Sequence, residues 1–147
     1  MMLAARCLKL AGVYLIAGLA LGLAMTMTKR FTLSTLHAHM NLLGWVTLAL
    51  AAIVFTVWPR TESTRLARAF FWIYNLSLPV MLITLALVLI GGGKFVLAMK
   101  ISSAGVLVGA ILFVVNLFVA IPPAARSARK LAPDDSDVDR RRPRLED

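Results

Sequence analysis

Apolar and polar positions are not interleaved along this chain; they come in blocks. Four long apolar runs, Leu8–Thr28, Ser34–Trp58, Arg68–Ile90 and Ala98–Ile121, are separated by short polar connections. Each run meets the roughly 20 residues that a helix needs to cross a bilayer. Helices are the expected form, because unpaired backbone groups are too costly in hydrocarbon and the runs are too long for barrel strands. The pattern predicts an all-α, integral membrane four-helix bundle, up-down-up-down because the connections are short. Residues 1–122 form the bundle in this reading, and 123–147 form a polar tail expected to be disordered.

Composition agrees with the blocks. The chain is 60% hydrophobic and 16% charged over 147 residues, against about 45–50% and 25% in soluble domains. Glu62 is the one acidic residue before the tail, and no carboxylate falls inside a run. Twelve of the 16 lysines and arginines, among them Arg6, Lys9, Arg60, Arg65 and Arg68, fall on one side of the predicted bundle. Both termini are therefore expected in the cytoplasm, and the protein in a bacterial inner membrane. The net charge of +9 is then a topology signal and not a mark of nucleic-acid binding. The first run could be a signal peptide, but it is long and offers only a loose cleavage pattern at residues 20–24, so a retained helix is expected.

Several residues interrupt the apolar pattern. Gly18 with Gly22 and Gly105 with Gly109 are small-xxx-small pairs suited to close helix packing. Pro79 is expected to kink the third run. Asn75, Ser77 and Asn116 are candidates to bridge helices or line a cofactor site. The lone cysteine, Cys7, is given no role.

Candidate chemistry is confined to the start of the second run. Both histidines of the chain, His37 and His39, lie there with Met40, Asn41, Gly44 and Trp45. Ionisable residues within a span point to function, and imidazole is a common metal ligand. On a regular helix His37 shares a stripe with Asn41, Gly44, Leu48, Ala51 and Phe55, whereas His39 lies about 200° round beside Leu42, Leu43, Val46, Leu50 and Ile53. The two rings then cannot chelate one metal. The first stripe suits a bundle interior or a cofactor, the second a lipid, a porphyrin edge or another subunit. Met25, Met27 and Met40 add soft thioethers that would suit Cu(I) with the histidines.

This segment resembles subunit I of the heme-copper oxidases. Thr35-x-His37-Ala38 is similar to the T-x-H-A pattern of aa-type enzymes, and His39-x-Asn41 to the H-x-N pattern of nitric oxide reductases and C-family oxidases. His37-x-His39-x-x-Leu42-x-Gly44-Trp45 also resembles NnrS-type membrane proteins. The resemblance implies an axial histidine for a b-type heme, His37 on one alignment and His39 on the other, with Asn41, Gly44 and Trp45 lining the site. Two histidines and four helices fall short of a subunit I, so no self-sufficient oxidase is expected. The function expected is heme binding, across a homodimer or within a larger respiratory complex, for electron transfer or nitric oxide handling. The alternatives are a copper-handling assembly factor and a non-catalytic structural subunit.

Overall fold

The structure, a computed structural model, describes residues 2–91 and 93–121; the predicted polar tail lies outside them. Among the described residues five α-helices make four spans, and a sixth is a connecting turn. The first span is α1 (Met2–Thr28). The second joins α2 (Ser34–His39) to α3 (Thr47–Val57) through a π-helical turn at Met40–Val46. A single turn, α4 (Pro59–Glu62), leads to the third span, α5 (Arg65–Ile90). A short 3₁₀ turn at Gly93–Phe95 precedes the fourth span, α6 (Val96–Ala120). All four are long and apolar enough to cross a membrane, which fits an integral membrane protein.

Two span starts move outward from the expected positions. α1 begins at Met2, so Arg6 and Lys9 lie within the helix; long basic side chains tolerate this because their stems pack on apolar surface while their charges reach the interface. α5 begins at Arg65 because the Thr64 hydroxyl caps it, accepting from the Ala67 amide at 2.9 Å. At its other end Gly91 adopts φ 128°, a conformation that favours glycine.

The bundle consists of two hairpins. α1 packs along α2, the π-turn and α3, and α5 packs along α6, while α1 and α5 barely approach one another. Inside each hairpin the close approach is made at glycine. A Cβ on Gly18 would lie 2.7 Å from the Asn41 amide, one on Gly22 2.9 Å from the His37 ring, and one on Gly44 2.5 Å from the Tyr14 ring. In the second hairpin Gly105 meets Ser77 and Gly109 meets Tyr74. Both small-xxx-small pairs therefore act within the chain.

Between the hairpins the gap is filled by rings. Phe70 meets Phe113 at 4.9 Å between centroids and Tyr74 at 5.4 Å, and Phe55 meets Phe113 at 6.0 Å. Phe55, Phe70 and Tyr74 are fully buried. Outward positions such as Ile16, Leu23, Ile83, Ile111 and Phe118 are large, apolar and exposed. An exposed apolar surface of this extent is suited to lipid and not to water.

Polar ties close the end of the bundle where α1 begins. The Leu3 amide donates to Glu62 Oε1 at 2.6 Å, so the α4 carboxylate covers the start of α1. Negative charge there satisfies otherwise unpaired amides and complements the helix dipole. Asn116 of α6 donates to the Thr61 carbonyl at 2.9 Å and accepts from the Thr64 hydroxyl at 2.7 Å. Asn116 thus bridges elements, as one of its two expected roles requires.

Candidate functional site

The segment with both histidines sits at the far end of the bundle from Glu62, against the last third of α1. His37 is half-buried and turned towards α1. Its Nδ1 lies 2.9 Å from the Gly18 carbonyl oxygen. A carbonyl can only accept, so Nδ1 carries a proton, and in the neutral ring the lone pair is then on Nε2. Asn41 donates to the His37 carbonyl at 2.9 Å and fills the groove over Gly18. His37 and Asn41 therefore lock the first hairpin.

His39 makes a different attachment. Its Nδ1 donates to the Thr35 carbonyl of its own helix at 2.8 Å, which again leaves Nε2 with the lone pair. A histidine held by Nδ1–H to a backbone carbonyl has the tautomer and orientation typical of a ring that ligates through Nε2. His39 and His37 lie in the regular stretch Ser34–His39, so the two rings leave the axis about 200° apart. Leu42 and Val46, the outward positions that follow His39 in the chain, are exposed and aliphatic.

The turn that follows was not legible in the sequence. Over Met40–Val46 the helix widens, and the Thr47 amide and hydroxyl both reach back five residues to the Leu42 carbonyl, the hydroxyl at 2.9 Å. Leu36, Met40, Gly44 and Leu48 consequently all face inward at a constant spacing of four. A regular α-helix would carry that series about 120° round the axis. The neighbouring Leu43 carbonyl receives the Tyr74 hydroxyl of α5 at 3.0 Å, which ties the second hairpin to this turn. Such π-turns recur at functional sites in proteins.

The other candidates divide. Gly44 is buried under the Tyr14 ring, which makes it a packing glycine with no room for a cofactor. Trp45 and Met40 are half-buried against the core. Met25 is buried whereas Met27, two positions on in the same helix, is 77% exposed, so the two thioethers face opposite ways. Asn75 donates to the Phe71 carbonyl at 2.8 Å, and its Oδ1 is buried without a partner. That residue sits one turn before Pro79, which has no amide to offer the Asn75 carbonyl. Cys7 is buried among the core residues. Among the described residues no three histidine, cysteine or acidic side chains gather as a metal site.

No curated protein and no solved structure matches the chain. One family model does, over residues 4–105, which includes nearly all of the first span, the second with its π-turn, the third, and the start of the fourth. The chain belongs to that family, DUF2871, described as proteins of unknown function.

Proposed function

We propose that this protein is a multi-pass membrane protein that binds a b-type heme through His39 at the end of the bundle remote from α4, with both termini in the cytoplasm. The observation that carries the reading is the Nδ1–H bond of His39 to Thr35, which orients a neutral ring with its Nε2 lone pair available. The exposed aliphatic side chains of Leu42 and Val46, which follow His39, offer apolar surface of the kind a porphyrin needs. One chain supplies one such ligand, so the second axial position falls to His39 of a second copy or to a larger respiratory complex. His37 is the weaker ligand candidate, because its ring is wedged over Gly22 and tied to Gly18. Heme bound this way would supply an electron-transfer centre or a site for nitric oxide. The orientation rests on the same distribution of basic residues that marks the α4 end as cytoplasmic. Copper handling gains nothing from the geometry, since Met25 and Met27 diverge.

The test is a reduced-minus-oxidised spectrum of the detergent-purified protein after heme supplementation. The expected result is a b-type spectrum in the wild type and in His37→Ala, and its loss in His39→Ala at unchanged helical content. A wild-type protein with no Soret band would refute heme binding. Loss of the band in His37→Ala with retention in His39→Ala would refute the assignment of the ligand.

A further inference from the structure

The seam between the hairpins is closed by rings on one side and open on the other. On the open side α1 and α5 border a cleft of about 510 Å³ walled by Leu10, Tyr14, Phe71, Leu76 and Pro79, with Asn75 as its one amide. Its mouth is formed by Arg6 and Trp72, and these same two residues also line a polar pocket at the end of the bundle. Arg68, Ser63 and Glu62 complete that pocket. The two cavities therefore adjoin at Arg6 and Trp72, with two arginines at the head and a largely apolar trough below.

We propose that the two cavities together form a path that binds one anionic diacyl phospholipid, with its phosphate between Arg6 and Arg68 and one acyl chain in the trough. Charge selects the headgroup. Arg6 and Arg68 both line the pocket, and the single carboxylate there, Glu62, accepts the Leu3 amide of α1. A guanidinium pair offers the planar donors that a phosphate takes. Trp72, 57% exposed, stands where the head of the path meets the trough, the level that tryptophan favours in membranes. Length selects the chain. From Arg68 to Pro79 is eleven residues of α5, about 16 Å at 1.5 Å per residue. That is close to half of the roughly 30 Å hydrocarbon core, the depth one leaflet's acyl chain spans. The proposal is independent of any heme, whose site lies at the other end.

Native mass spectrometry of the full chain in detergent, with dioleoylphosphatidylglycerol or dioleoylphosphatidylcholine added, tests it. One phosphatidylglycerol per chain is expected to remain bound under conditions that strip phosphatidylcholine. Arg6→Gln with Arg68→Gln should weaken retention about thirtyfold, roughly fivefold for each basic residue at the membrane surface. Arg60→Gln with Arg65→Gln, which removes the same charge at the same end outside the path, should leave retention unchanged. Leu76→Trp fills the trough from an exposed position without altering charge and should abolish retention even if the arginine variant fails to fold. Equal retention of the two lipids, an equal loss in the Arg60/Arg65 pair, or full retention in Leu76→Trp would each overturn the proposal.

Discussion

Gly18→Ala isolates the close packing of the first hairpin. The new Cβ would stand 2.7 Å from Asn41 Nδ2 and Oδ1 and 2.9 Å from Cγ. Ordinary contact begins near 3.4 Å, so Asn41 or the whole second span must retreat by about 0.7 Å. Such overpacking costs about 1–3 kcal/mol. Retreat also stretches the 2.9 Å bond from His37 to the Gly18 carbonyl, a further loss of about 1 kcal/mol. Against this, alanine is the better helix former by about 1 kcal/mol. The net expectation is a destabilisation of about 1–3 kcal/mol. Gly12 supplies the control, since a Cβ there meets nothing within 4 Å and Gly12→Ala collects only the helix-forming gain. The two variants change one helix by the same methyl group, so their difference, about 2–4 kcal/mol, is packing alone. Equilibrium unfolding in mixed detergent micelles, read by circular dichroism, measures it. Asn41→Ala placed on Gly18→Ala removes the clash, and the pair should couple by about 1 kcal/mol or more. If Gly18→Ala proves as stable as Gly12→Ala, or the double variant shows no coupling, the close approach at Gly18 is not what holds this hairpin.

Two further outcomes follow from the core and from the α4 end. Phe70→Ala removes a fully buried ring that touches Phe55 across the seam and Phe113 and Tyr74 within its own hairpin, and should cost about 3–5 kcal/mol in the same unfolding assay; a loss under 1 kcal/mol would mean that this ring does not hold the bundle together. Burial pushes the Glu62 carboxyl up, but the hydrogen bonds it accepts at the start of α1, together with the positive charge there, hold it below the usual carboxylate range. A carboxyl held low in the folded state stabilises it above its ordinary value, and this stabilisation fades as pH falls through the lowered one. The wild type should therefore lose stability on acidification and Glu62→Gln should lose less; parallel pH curves would show that Glu62 contributes nothing.

The four spans were legible because runs of about 20 apolar residues have few alternatives. Gly18, Gly22, Gly105 and Gly109 were legible as packing positions, but not their partners, since spacing along one helix carries no register for the helix it meets. The stripes were partly right: Gly44, Leu48, Ala51 and Phe55 face inward and Leu42, Val46, Leu50 and Ile53 outward, but Leu43, expected outward, is half-buried against the core. The wheel failed at Met40–Val46, because a five-residue hydrogen bond has no residue signature and depends on Tyr14 and Tyr74 arriving from other spans. Glu62 stood out as the lone acid of the apolar part, yet its role depends on α1 starting at Met2. The cleft between α1 and α5 had no signal at all, as it is a property of the seam and not of either helix.

The contact between Leu3 and Glu62 also bears on how the chain is made. Synthesis runs from the N-terminus, and early parts of a chain can fold first. Once residue 62 has been added, the first hairpin possesses both spans, its glycine contacts and the carboxylate that covers its first turn. Its π-turn still awaits the Tyr74 hydroxyl, which α5 brings to the Leu43 carbonyl. The second hairpin thus completes a surface already largely formed, and the tie from Asn116 to Thr61 and Thr64 can form only when α6 is complete. The bundle is thus ordered in time as well as in space, a pair of spans at each step.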